Sequence, residues 1–136
     1  MVTLGVADVA RATAFYESLG WRASSQSKPG EIAFFDMGGV IFGLYQREAL
    51  AADATVSADG AGFKGVAISH NAKSEREVDA VLKEAADKGA TVVKPGQKVF
   101  WGGYGGYFRD PDGHLVEVAF NPYWDLDADG NVRLPQ

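Results

Sequence analysis

Val2-Thr3-Leu4-Gly5-Val6-Ala7-Asp8-Val9-Ala10-Arg11-Ala12-Thr13-Ala14-Phe15-Tyr16-Glu17-Ser18-Leu19-Gly20 changes its apolar period partway along, and the change marks a strand that leads into a helix. Val2, Leu4 and Val6 alternate with small or polar neighbours, as a half-buried strand requires, whereas Val9, Ala12, Phe15, Tyr16 and Leu19 recur at helical spacing. Asp8 falls at the N-cap, where a side-chain oxygen accepts from an otherwise unpaired backbone N–H, and Gly20 falls at the stop. Three strands are expected to follow: one around Trp21 to Ser24, one across Ile32 to Phe35 and one from Val40 to Tyr45. Asp36-Met37-Gly38-Gly39 is the turn between the last two.

The same order returns further on. Val66 and Ile68 alternate with Ala67 and Ser69, and Ser74 with Glu77 forms an S-x-x-E capping box ahead of Val78, Val81, Leu82 and Ala85. Gly89 ends that helix, Thr91 to Lys94 reads as a short strand, and Tyr104 to Arg109 and His114 to Phe120 flank the turn Asp110-Pro111-Asp112-Gly113. Strand, helix and three strands thus occur twice, which predicts an α+β fold of two βαβββ modules related by a pseudo-twofold axis, since neither half covers its own apolar face alone. Residues 1–46 form module one, 47–62 a linker rich in Ala, Asp and Gly, 63–124 module two and 125–136 a tail, all within a single domain of 1–136.

Composition narrows the function classes. At 136 residues the chain is long enough to bury a core without staples, and 46% hydrophobic with 23% charged residues is the make-up of an ordinary globular protein. A net charge of −5 without any basic run disfavours nucleic acid and anionic membrane as partners. The absence of cysteine excludes disulfides, thiolate metal sites and cysteine nucleophiles. The apolar runs are too short to span a bilayer, and Met1 to Val6 lacks a basic leader, so a cytoplasmic location is expected. The sequence opens inside the first expected strand, which leaves open a start further upstream or an amino terminus at the cavity.

Alternation splits each strand into a helix-facing row and an inner row. Superposing the copies makes Met1 equivalent to Gly65 and Gly43 equivalent to Glu117. Val2, Leu4, Val6, Val66, Ile68, Val40, Phe42, Leu44, Val116, Val118 and Phe120 then face the helices. The inner row is mostly small, and small residues on a concave face leave space. Glu117 is its anomaly, because a buried carboxylate without a partner is costly. Either it is solvated or paired with Arg109 or a lysine, or it faces a ligand. Tyr107, on the strand paired through the Asp110 to Gly113 turn, is placed to share that space, and Trp101 has the same parity and suits stacking on a flat ligand.

Leu4-Gly5-Val6-Ala7-Asp8, Phe15-Tyr16-Glu17, Leu19-Gly20-Trp21 and Gly106-Tyr107-Phe108-Arg109-Asp110-Pro111-Asp112-Gly113-His114-Leu115-Val116-Glu117 together resemble the vicinal oxygen chelate superfamily of glyoxalases, bleomycin-resistance proteins and extradiol dioxygenases. The resemblance covers residues 1 to about 124. It implies an eight-stranded split barrel around a cavity, a homodimer, and in the enzymes a divalent metal held from the first and last strands of each module. Carried onto this chain, the ligand positions are Met1, Gly43, Gly65 and Glu117. Glu117 alone offers a suitable donor, which is too few for a metal, so neither metal nor other cofactor is expected. Tyr107 matches a position that lines the active site in family dioxygenases and fosfomycin-resistance enzymes. Family members without the metal ligands include drug-sequestering proteins, and this sequence looks more like those.

Other signals carry less. Asp125-Leu126-Asp127-Ala128-Asp129-Gly130 is similar to the opening of a calcium loop, yet its twelfth position is Gln136, so a turn with Val132 and Leu134 folding back is expected. His70, on the helix-facing row, and His114, at a turn exit, are read as structural. Gly102-Gly103-Tyr104-Gly105-Gly106 is read as a bulged strand at the cavity rim. The leading expectation is a metal-free cavity lined by Tyr45, Trp101, Tyr104, Tyr107 and Glu117 that binds a small, partly aromatic or cationic molecule. The alternatives are an isomerase, lyase or dioxygenase-like enzyme using Glu117 as general base, with Tyr107 as acid, or as a metal ligand, and an interaction module with a filled interior.

Overall fold

The change of period in the opening stretch is realised as β1 (Val2–Val6) followed by α1 (Val9–Ser18). Asp8 is extended, with φ −138°, and its Oδ1 accepts from the Arg11 N–H at 2.9 Å, which caps α1 as its position predicts. A computed structural model of the chain describes residues 1–64 and 66–133. Gly65, the expected counterpart of Met1, Leu134, expected to fold back in the tail, and Gln136, twelfth position of the acidic loop, lie outside the described residues. The chain divides into two compact units, Met1–Gly65 and Val66–Gln136.

In the first unit β2 (Ile32–Asp36) pairs antiparallel with β3 (Ile41–Gln46), and β1 pairs with β3 in parallel, so the sheet order is β1-β3-β2. Its core lies between this sheet and α1, where Leu4, Val6, Ala12, Phe15, Tyr16, Phe35, Phe42 and Leu44 are all buried. The strand expected around Trp21 to Ser24 shrinks to a single bridge, Ala23 to Phe35. Packing explains the loss: the Trp21 ring stacks on Tyr16 at 4.6 Å and meets Phe35 and Phe42 edge-on, so the chain there follows the core and not a ladder.

The expected linker also differs, because its first half is a helix, α2 (Arg47–Asp53). Arg, Glu, Ala and Leu are strong helix formers, and this outweighs the loop-like overall composition of 47–62. The Arg47 guanidinium donates to the Ala58 carbonyl from Nε at 2.9 Å and from Nη2 at 2.6 Å, which ties the following loop back onto the helix. A side chain at position 5 would press on Arg47 Cα at 3.2 Å, so Gly5 lets α2 start against β1.

The second unit carries β4 (Ile68–Asn71), α3 (Glu75–Asp87), β5 (Thr91–Lys98), β6 (Tyr104–Arg109) and β7 (Leu115–Phe120), with sheet order β4-β7-β6-β5. The N-cap half of the capping box forms, with Ser74 Oγ accepting from Glu77 N at 3.1 Å, while the Glu77 carboxylate reaches one residue further back than the box requires and its Oε2 accepts from Lys73 N at 2.6 Å. Val78, Leu82 and Ala85 bury one face of α3 on the sheet, against Val116, Val118 and Phe108. Val66 precedes β4 and is exposed, and His70, expected on the helix-facing row, is exposed on the edge strand. Beyond the sheet, the tail forms a hairpin of β8 (Asp125–Leu126) and β9 (Val132–Arg133). Asp127 Oδ1 accepts from the backbone of Asp129 at 3.0 Å and Asn131 at 2.9 Å, so this acidic run closes a turn. Among the described residues no helix is long and apolar enough to cross a membrane.

Candidate functional site

The β6–β7 hairpin sets the register of the site. Asp110 is buried at its turn, where its Oδ1 accepts from the N–H of Asp112 at 3.0 Å and of His114 at 2.8 Å while its own N–H donates to the His114 carbonyl at 2.9 Å. The turn held this way places Tyr107 opposite Glu117. On the other side of β7, the parallel ladder puts Ser69 of β4 opposite the same glutamate, and on the far side of β6 the strand pairing puts Lys94 of β5 opposite Tyr107. Lys94, Tyr107, Glu117 and Ser69 therefore form one transverse row across all four strands.

Alternation assigns this row to the face away from α3. Val116 and Val118 are buried on the helix side, and a Cβ at Gly106 would meet Leu82 of α3 at 2.6 Å. Glu117 itself is half-buried. Its Oε1 accepts from the Tyr107 hydroxyl at 2.9 Å and its Oε2 from the Ser69 hydroxyl at 2.8 Å. The Lys94 ammonium stands over the Tyr107 ring, 5.7 Å from the centroid. Of the partners expected for Glu117, Arg109 is exposed at the strand end, and Lys94 meets the Tyr107 ring.

Withdrawal from water, the hydrogen bond to Glu117 and that group's negative charge all push the Tyr107 hydroxyl above the ordinary tyrosine value of 10.0. The neutral phenol is thus the form the fold favours, and its contribution is present below the unfolded value and lost as pH rises through the raised one. Ultraviolet titration of tyrosinate is expected to show a late-ionising component that Tyr107→Phe removes; an unchanged late component would place that hydroxyl elsewhere. Tyr104 also ionises late, because its hydroxyl donates to Asp79, so the comparison is best made in a Tyr104→Phe background.

None of the other expected lining residues stands in this row. Tyr104 goes to the opposite face, where its hydroxyl reaches Asp79 of α3 at 3.0 Å. It stands three residues from Tyr107, an odd step that alternation sends to the other side of the sheet, so its own position in the sequence already pointed there. Trp101 sits in the β5–β6 turn, closed by Gly102 N to Val99 O and Val99 N to Gly103 O, both at 3.0 Å, with its ring lying on Gly103. Tyr45 lies in the first unit, half-buried on β3 and paired with Gly5 and Ile32. Ser69 joins the site although its sequence position gives it no role: alternation puts it in the row of small residues, and only the parallel ladder shows that it meets Glu117.

The two units have corresponding rows. Thr3 stands opposite Gly43 and Gly43 opposite Phe34, as Ser69 stands opposite Glu117 and Glu117 opposite Tyr107. A hydroxyl and an aromatic ring recur, and only the second row carries charge. With Gly43 matched to Glu117, the first strands superpose Thr3 on Ser69, so the match of Met1 to Gly65 is two residues out of step. An even shift preserves which face each residue occupies. Neither superposition restores the ligand set that the resemblance implies: Met1, Gly43 and Thr3 carry no carboxylate or imidazole, and both oxygens of Glu117 hold hydroxyl donors. Among the described residues no group of three or more His, Cys, Asp or Glu side chains is placed to hold a metal ion.

Comparison with known proteins agrees with this architecture. The sequence profile of the Glyoxalase/Bleomycin resistance protein/Dioxygenase superfamily matches residues 1–118. A glyoxalase-related enzyme from Fulvimarina pelagi is 32% identical, with TM-score 0.88, and the match covers 99% of this chain and 96% of that one. Lactoylglutathione lyase from Agrobacterium tumefaciens is 26% identical, with TM-score 0.67 over 88% of this chain and 90% of its own. TioX from Micromonospora sp. ML1, 23% identical with TM-score 0.64 over 88% of this chain and 94% of its own, shares the fold. No curated protein matches the sequence.

Proposed function

The chain belongs to the Glyoxalase/Bleomycin resistance protein/Dioxygenase superfamily, and on that premise we propose that it binds a small, partly aromatic molecule bearing a cationic or hydrogen-bond-donating group at Glu117, without a metal. The observation that carries this reading is the double hydrogen bond to Glu117, from Tyr107 at 2.9 Å and Ser69 at 2.8 Å. A carboxylate is an acceptor with about four lone-pair positions, of which these hydroxyls take two, so two remain for a ligand's donors. Tyr107 adds an aromatic face beside them. The donor set argues against a metal at this position, since one carboxylate engaged on both oxygens falls short of a coordination shell.

Benzylamine is a suitable probe, having one ring and one ammonium. It is expected to bind wild type measurably by calorimetry or ligand-observed NMR, and Glu117→Gln is expected to weaken it about tenfold or more, the range for losing a hydrogen bond to a charged group. Equal affinity in the two proteins would remove Glu117 from the ligand site.

A second reading rests on the same contact. Tyr107 and Glu117 form a hydrogen-bonded acid and base, the arrangement an isomerase or lyase uses to move a proton next to a carbonyl. The similarity to a lactoylglutathione lyase gives this reading its place beside the first. Solvent deuterium incorporation into an α-hydroxycarbonyl compound, abolished in Glu117→Gln, would favour turnover over binding.

A further inference from the structure

We infer that the ligand of this site is amphoteric, carrying an anionic group for Lys94 as well as the donor group for Glu117; the inference rests on the reading of Glu117 proposed above and names the missing half of its ligand. The first support is the backbone of β5. Val92 pairs with Phe108 and Lys94 with Tyr107, so Val93 and Lys94 together oppose one residue of β6, and a second irregularity follows between Lys94 and Gln97. In a regular strand Lys94 would share the face of Val92, which pairs with the buried Phe108 on the α3 side. The bulge turns it over. It leaves Val93 as the extra, exposed residue and brings Lys94 onto the face of Glu117. Bulges that re-aim one side chain are enriched beside binding and active sites.

The second support is what the ammonium meets there. Lys94 is half-buried, and its Nζ lies over the Tyr107 ring, 5.7 Å from the centroid. Among the described residues no carboxylate lies within ion-pairing distance of it. An aromatic face stabilises an ammonium without satisfying its three donors. The Tyr107 ring therefore separates a cation at one side from a carboxylate at its hydroxyl end. A ligand lying along that ring meets positive charge first and negative charge second. The complementary chemistry is a short molecule with a carboxylate or other anionic group at one end and an ammonium or other donor at the other.

Three probes separate the two halves: benzoate, benzylamine and 4-(aminomethyl)benzoate, each titrated into wild type, Lys94→Met, Lys94→Arg and Glu117→Gln. Wild type is expected to bind 4-(aminomethyl)benzoate about tenfold or more tightly than benzylamine, as a charge-assisted contact predicts. Lys94→Met is expected to abolish that advantage and weaken benzoate while leaving benzylamine within about twofold, and Lys94→Arg is expected to retain most of it. An unchanged circular dichroism spectrum and thermal midpoint certify the fold of each variant. If 4-(aminomethyl)benzoate binds wild type no better than benzylamine, or keeps its advantage in Lys94→Met, the inference is wrong although Glu117 still binds benzylamine. If benzoate depends on Lys94 but benzylamine is indifferent to Glu117→Gln, the anion subsite stands and the Glu117 reading fails. Wild type that binds none of the three overturns both.

Discussion

Replacing Phe35 by alanine is expected to destabilise the first unit by about 3–5 kcal/mol, the range for emptying a fully buried aromatic position. Phe35 has no exposed surface, and its ring meets Trp21 at 5.6 Å, Tyr16 at 6.3 Å and Phe42 at 6.4 Å. It is also the residue to which the Ala23 bridge attaches. The substitution thus empties the middle of an aromatic cluster whose other members are held by a helix, a loop and a second strand, and these cannot all close in together. Urea unfolding followed by circular dichroism measures the effect, with Phe34→Ala, on the other face of the same strand, as the milder comparison. A loss below about 1 kcal/mol would mean that the cluster collapses readily around the gap and that Phe35 is not its centre.

The second large effect is expected at Gly106. A Cβ there would come within 2.6 Å of Leu82 Cδ1, 2.6 Å of the Lys94 carbonyl oxygen and 3.0 Å of the Gly96 nitrogen. Two of these atoms are backbone of the bulged β5 and cannot rotate aside. Gly106→Ala is therefore expected to cost about 3 kcal/mol, the upper end for overpacking. Its neighbour gives the control: at Gly105 the nearest atoms are Val118 O at 3.3 Å and Ala119 Cβ at 3.6 Å, so Gly105→Ala should cost much less. Because the pressed backbone belongs to Lys94, Gly106→Ala should also disturb that ammonium and weaken benzoate binding in whatever folded fraction remains. Equal thermal midpoints for the two variants would show that β5 yields, and that the bulge is not held in place by the close approach to β6.

The small face that the sequence assigns to the inner side of the second sheet behaves as expected along β7, where Val116 and Val118 are buried with α3 while Glu117 turns the other way. That result is local. Alternation along a strand and recurrence along a helix are set by bond geometry, so they can be read residue by residue, as can the Asp8 and Ser74 caps. The helix formed by Arg47 to Asp53 was legible in the same way, but the Ala, Asp and Gly content of the longer segment obscured it. The opposite faces of Tyr104 and Tyr107 follow from their spacing alone.

From its sequence alone, this protein's two strand-to-helix units, β1 with α1 and β4 with α3, its caps, its turn at Asp110 and its family motif are determined, because each depends on neighbours within a few residues. Tertiary structure alone decided that Ser69 meets Glu117, 48 positions away, and that the bulge in β5 delivers Lys94 to Tyr107. Pairing between strands fixes which side chains stand side by side, and a single extra residue in one strand reverses its faces, so no local periodicity records the outcome.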